Sequence, residues 1–213
     1  MATTKKLVNE LYLETIDNIT SNSENWNKFL KCAGRNYKYP FQDQVLIYAQ
    51  RPNATAVASI ELWNNTFRRW VKGGTSGIAL VRENGLNVYL TYVFDISDTY
   101  DKLNKPFSLW QYDRNYDKLI IDNLKNKYNL SNEDNFIDII KEYSSFLVED
   151  NLYEYINDFL EYKTNSNLER ISNDEAIDIF KNLLSHSITN LIFSRLNIDE
   201  YYNDFYDITY FND

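Results

Sequence analysis

The chain has 213 residues, 44 % of them hydrophobic and 16 % aromatic, enough to bury a real core and to exclude a disordered tail. A mean hydropathy of −0.53, with no apolar run of bilayer length, argues against a transmembrane helix. The start has lysines but no apolar stretch or cleavage site after them, so it is no secretory signal and a cytoplasmic protein without a membrane partner is expected.

Thr4 is placed to cap a first helix through about Asn18, with Leu7, Leu11 and Thr15 at helical spacing. After the polar loop 21–25 a second helix runs to about Ala33, with Trp26, Phe29, Leu30 and Ala33 recurring at helical spacing and Gly34 as a left-handed stop. Pro40 opens a third helix and Pro52 closes it, Phe41, Val45, Tyr48 and Ala49 forming its buried face. Ser59 caps a short fourth over residues 60–67, in which Trp63 is core. From Phe67 the period changes: an extended 67–72 sends Arg68, Trp70 and Lys72 one way and Phe67, Arg69 and Val71 the other. After a glycine-rich turn, GGTSG at 73–77, two strands at 78–82 and 86–94 are joined around Asn84-Gly85, the dipeptide of a tight type I′ hairpin.

Beyond Asp95 the composition shifts to Asp, Asn, Tyr and Ile and the periodicity becomes helical. Helices are expected at 115–128, from Ser131 with Asp134 to about Leu147, at 152–162, and from a Ser172/Glu175 capping box to about Leu196. In the last, Ile177, Phe180, Leu184, Ile188, Leu191 and Ile192 form the apolar stripe. The expected fold is α+β, helices around a small antiparallel β-sheet followed by an α-helical C-terminal region. The expected organisation is a core over 1–110 with an acidic helical extension over 111–213 packed on it, or one single domain.

Catalytic constellations are lacking. His186 is the only histidine, which removes a His-based triad, a two-histidine zinc site and the helical metalloprotease pattern. Cys32, the one cysteine, allows no internal disulfide and lies on a helix as a packing residue. Asp95/Asp98/Asp101 and Glu149/Asp150/Glu154 have the chemistry of a divalent-cation site, but among 31 carboxylates such clusters arise by coincidence. The GGTSG run lacks the Gly-Lys-Ser/Thr ending of a phosphate loop and precedes a strand, leaving a plain turn or a bare backbone nest for a phosphate. No enzyme activity, cofactor or metal is expected.

The net charge of −9 would ordinarily exclude nucleic acid, but that average hides a segregation. From Trp26 to Arg82 stand nine bases, Lys28, Lys31, Arg35, Lys38, Arg51, Arg68, Arg69, Lys72 and Arg82, against only Asp43 and Glu61, giving +7. The remaining 13 bases and 29 acids give −16. A basic insert in an acidic frame implies a partner for one of them, an uneven solvated surface being the plain alternative. Cations that track a phosphate backbone, interleaved with rings on which bases stack, are the requirement for single-strand binding. On that ground Arg68, Arg69, Trp70 and Lys72 are the candidate contact strand, flanked by Lys28, Lys31, Arg35, Tyr37, Lys38, Gln44 and Arg51. Each aromatic in this set has a core role as its alternative.

The central segment 39–81, followed by YVFDISDT and LWQ, resembles the N-terminal region of LtrC-like proteins of conjugative and integrative elements. More distantly, 26–94 is similar to the single-stranded-DNA-binding domain of ArdC-type antirestriction proteins. The matching positions are Tyr37, Tyr39, Gln44, Trp63, Trp70, Val71, Gly74, Gly77, Ile78 and Leu80; Thr75 and Ser76 stand where the ArdC pattern places basic residues. The resemblance implies an N-terminal module that binds single-stranded DNA, or a DNA junction, for a mobile element. The alternative is an inhibitor or adaptor of antirestriction or anti-CRISPR type whose acidic region, Glu133 to Asp178, meets a host nuclease or another mobile-element protein as a phosphate mimic.

Overall fold

The computed structural model describes residues 5–102, 107–130, 135–164 and 166–198, so the expected caps at Thr4 and Ser131/Asp134 lie outside the described residues. The architecture is α+β, with a small antiparallel sheet among helices and a helical C-terminal region. The chain divides into two compact units, residues 1–19 with 28–110, and residues 20–27 with 111–213.

In chain order the first part holds α1 (Lys5–Thr20), α2 (Ser23–Arg35), α3 (Phe41–Gln50), β1 (Val57–Ser59), α4 (Ile60–Asn65), β2 (Trp70–Val71), β3 (Ile78–Asn84), β4 (Asn87–Asp95) and β5 (Thr99–Tyr100). Strands β1, β4 and β3 form one antiparallel sheet in that order, and β2 pairs with β5 in a second. Val8, Cys32, Leu46, Ile47, Ala54, Ile78, Ala79, Leu80 and Val93 make the core of this unit.

Three local expectations are corrected here. Gly34 has no positive φ and is buried inside α2; Asn36 terminates the helix instead, its amide nitrogen donating to Cys32 O (3.0 Å) and Ala54 O (3.3 Å). The buried face of α3 is Asp43, Val45, Leu46 and Ile47, with Phe41 47 % exposed, because Asp43 is drawn inward by an arginine of β3. Asn84 pairs with Asn87 in the ladder, so the hairpin loop is Gly85-Leu86; only Gly85 has positive φ (60°), the pattern of a type II′ turn.

Edge strand β3 has its outward backbone covered by a side chain. Gln50 donates from Nε2 to Ala79 O (2.9 Å) and accepts from Ala79 N at Oε1 (2.8 Å).

In the second unit, α5 (Asp117–Tyr128) is followed by α6 (Phe136–Lys163) and α7 (Asn173–Leu196). The two helices expected at 131–147 and 152–162 are one: residues 148–151 contain neither Gly nor Pro, and Asn151 donates to Leu147 O (2.8 Å) without leaving the helix. Helices α6 and α7 run antiparallel, with Ser145 on Ser185 (2.9 Å), Lys181 on Glu149 (2.7 Å) and Phe159 stacked on Phe180 at 4.2 Å.

Helix α7 is capped by Ser172 as expected, but its buried face differs from the expected stripe. Ser187, Thr189, Asn190 and Ser194 are buried while Leu184, Ile188 and Leu191 are only half-buried. The three hydroxyls donate to carbonyls four residues back, which makes them inexpensive to bury. Trp26 Nε1 donates to Ser187 Oγ (2.9 Å) and Asn190 to Asn27 (3.0 Å), so this polar face meets the first turns of α2 inside the second unit.

Candidate nucleic-acid interface

The site starts at a helix end. Ser59 caps α4 by accepting from Leu62 N (3.2 Å), and buried Trp63 donates from Nε1 to Phe94 O (2.8 Å), which pins α4 to β4. At its other end Phe67 N donates to Leu62 O (3.2 Å) and Arg69 N to Trp63 O (2.9 Å), closing the helix over Arg68 at φ 55°. The expected extension over 67–72 is therefore wrong before Trp70. The helix needs a left-handed terminator, and that requirement overrides the alternating pattern of 67–69.

Left-handed helix ends at 129 and 197 carry asparagine, the residue that tolerates them; here the terminator is an arginine. Its side chain is exposed and makes no hydrogen bond or ion pair among the described residues. A residue that carries a Cβ costs about 1–2 kcal/mol in this conformation. Arg68→Gly is accordingly expected to raise the urea midpoint by an amount worth about 0.5–1 kcal/mol, the reverse of the usual glycine penalty in a regular helix. A lowered midpoint would show that the arginine side chain stabilises the fold.

The neighbours of Arg68 are held more firmly. Arg69 donates from Nε to Thr99 Oγ1 (2.7 Å) and from Nη2 to Thr99 O (3.2 Å), and lies 5.6 Å over the Phe107 ring. Phe107 in turn packs edge-on against Trp63 (5.9 Å) and Phe67 (5.3 Å). Lys72 donates from its backbone to Asp98 O (2.9 Å) and from Nζ to Ser97 O (2.8 Å), its side chain remaining exposed. Arg51 is paired with Asp98 (2.9 Å). Arg51, Arg69, Trp70 and Lys72 thus converge on one short stretch, Asp95–Tyr100, and Arg51 and Arg69 are tied to it through their guanidinium groups.

That stretch is organised by two aspartates. Asp95 caps the 3₁₀ turn Ile96–Asp98 and accepts from Thr55 N (2.7 Å) and Ala56 N (3.1 Å); Asp98 accepts from Asp95 N (3.2 Å) and from Arg51. Their oxygens are occupied by backbone donors and an arginine. Among the described residues no group of three or more His, Cys, Asp or Glu is placed to hold a metal ion.

The flanking candidates lie on α2 and the turn after it. Lys28 is exposed, Lys31 and Arg35 are half-buried, Tyr37 is exposed, and Lys38 Nζ stands 5.9 Å over the Tyr37 ring. Gln44 is half-buried on α3. The end of α2 is linked to the Asp95 stretch through the loop 51–56, which Asn36 grips at Ala54 and Asp95 grips at Thr55 and Ala56. By composition, residues 1–19 and 28–110 contain 13 bases and 9 acids, a charge of +4, whereas 20–27 and 111–213 contain 9 bases and 22 acids, a charge of −13.

The glycines of 73–77 have separate reasons. Thr75 N donates to Lys72 O (3.3 Å) around Gly74 at φ 81°, a type II turn. Gly77 sits where a Cβ would meet Phe94 and Tyr92 at 3.0 Å. Cys32 is buried, and burial pushes its thiol up to about 11, against weaker opposing effects of Asn36 and Arg35, so it is a protonated packing residue at neutral pH.

Two residues outside the candidate set belong to the same place. Tyr100 stands across the β2–β5 ladder from Trp70, ring centroids 6.5 Å apart, and Lys102 Nζ lies 4.4 Å from the Trp70 centroid. The signal for them was the Tyr-x-Lys spacing at 100–102, just past the segment whose charge stood out. No helix among the described residues is long and apolar enough to cross a membrane. Comparison of the chain with protein-family models, with curated proteins and with solved structures finds no match in any of the three.

Proposed function

We propose that this chain is a non-catalytic module that binds single-stranded DNA, or DNA at a junction, for a mobile genetic element of the conjugation- or antirestriction-related kind. The observation that carries this reading is Arg68: an exposed guanidinium with no hydrogen bond or ion pair among the described residues, kept at a backbone position that penalises it, two residues before Trp70 of the Trp70–Tyr100 pair. Unfavourable backbone retained in a surface loop is a mark of function more than of stability. Lys102 stands on the Trp70 ring and Lys72, also exposed, follows Trp70 by two residues, within a unit of charge +4.

The test is fluorescence anisotropy with single- and double-stranded oligonucleotides at several salt concentrations. The single strand is expected to bind more tightly, and affinity to fall with salt. In Arg68→Ala/Lys72→Ala the slope of log K against log salt should shrink by about 1.4, two phosphate contacts at about 0.7 each for single strands. Arg69 is left in place because its loss would unpair Thr99 and confound binding with folding. Unaltered affinity and slope in the double variant would remove this site.

A second reading is favoured by the −13 charge of the other unit and by the exposed face of α6, where Glu149, Asp150, Glu154 and Asp158 alternate with Tyr153 and Tyr155. Such a face suits a basic cleft, as an inhibitor or adaptor acting on a host nuclease would require. Recovery of a nuclease from host lysate in the absence of DNA would favour this reading over the first.

A further inference from the structure

The pairing of Trp70 with Tyr100 gives the β2–β5 ribbon two rings side by side, inclined at 45° with centroids 6.5 Å apart, and Tyr100 is 43 % exposed. Neither ring is part of the buried core. Lys102 covers the indole: its ammonium lies 4.4 Å from the Trp70 centroid and makes no hydrogen bond or ion pair among the described residues, so among them the ring is its only partner. The exposed ammonium on this half-buried indole is held more weakly than a nucleobase stacked on the same ring. A base that arrives there wins the ring.

We infer that the Trp70–Tyr100 pair is a stacking subsite for one unpaired base and that Lys102 is its displaceable cover, an assignment that rests on the single-strand reading above. When the base takes the indole, the ammonium leaves the ring and meets a phosphate beside that base. Arg68 and Lys72, which flank Trp70 in sequence, supply the adjoining backbone contacts. A duplex offers no free base face to this pair of rings, so the same geometry accounts for discrimination against paired strands.

The probe is a short oligothymidylate, read by anisotropy and by tryptophan emission. Because the chain has four tryptophans, the Trp70 signal is taken as the difference between the parent protein and Trp70→Phe. Binding should quench that difference. Trp70→Leu should weaken binding roughly fivefold or more and Trp70→Phe by less, the order expected of stacking. Lys102→Gln, an exposed substitution, should reduce the salt slope by about 0.7, the share of one phosphate contact. Circular dichroism of all three variants checks that each is folded, and Lys102→Gln tests the cover even if a Trp70 variant is not. Oligothymidylate binding with no Trp70 quench, or with an unchanged slope in Lys102→Gln, overturns the subsite and leaves the single-strand function standing. Absence of binding by the parent protein at low salt overturns both.

Discussion

Asp95→Ala should unfold the protein at markedly lower urea, losing about 4 kcal/mol from hydrogen bonds to a charged group that are worth about 1.5–3 kcal/mol each, less what water regains. Asp95 is 2 % exposed, and its carboxylate accepts from Thr55 N (2.7 Å), Ala56 N (3.1 Å) and Ser97 N (2.9 Å). Alanine leaves those donors without an acceptor, releases the loop between α3 and β1 and removes the cap of the turn that leads into β5. Because Arg51 and Lys72 are secured to that turn and Arg69 to the strand it leads into, any nucleic-acid affinity should fall along with stability.

The acid side of the stability profile supplies an independent check. Burial acts to raise the Asp95 carboxyl, but hydrogen bonds from Ser97, Thr55 and Ala56 together outweigh it and leave it below its ordinary value. A folded value below the unfolded one, about 3.9, means that this stabilisation is complete above the unfolded value and is lost as pH falls through the folded one. Urea midpoints measured from neutral pH down to about pH 2.5 should therefore decline less steeply in Asp95→Asn than in the parent protein. A parent-like midpoint for Asp95→Ala, or parallel acid limbs for the two proteins, would refute the role given to this carboxylate.

Arg82→Met is expected to cost about 3 kcal/mol, the lower end of the range for stripping a buried charge of its partner. Arg82 reaches Asp43 through two parallel hydrogen bonds, Nη1 to Oδ1 at 2.7 Å and Nη2 to Oδ2 at 2.8 Å. The Asp43 side chain is 5 % exposed and that of Arg82 35 %, so the aspartate bears most of the penalty and the arginine stays in reach of water. Replacing both groups by apolar ones should recover most of the loss: Asp43→Leu/Arg82→Met is expected to lie well above Arg82→Met in a double-mutant cycle followed by urea unfolding. If the double variant is no better than the single one, the stranded carboxylate is not the cause.

The two aspartates explain which parts of the molecule were visible in its residues. Helix starts at Ser59 and Ser172 and the arms of the β3–β4 hairpin depend on neighbours within a few positions, and Trp63 is core by its size and apolar ring wherever its partners lie; all came out as expected. The charge count over 26–82 treated nine cations alike, whereas folding assigns Arg82 to Asp43, 39 residues away, Arg51 to Asp98, 47 away, and Arg69 to Thr99, 30 away. Such partners are set by tertiary packing, to which spacing along the chain is blind. The same limit hid the polar face of α7, whose Asn190 meets Asn27 from 163 positions off. At Arg68 the reason is different: strand periodicity over 67–72 competed with the need to end α4, and a single left-handed residue decided it.

The amide of Gln50 bears on how this protein meets other copies of itself. Residues 78–80 are the most apolar part of a sheet border, the kind of stretch on which a foreign strand would template. With both polar groups of Ala79 already satisfied from within, an incoming chain finds no vacancy at the centre of that border, and growth of the sheet by lateral addition is discouraged where its hydrophobic reward would be greatest.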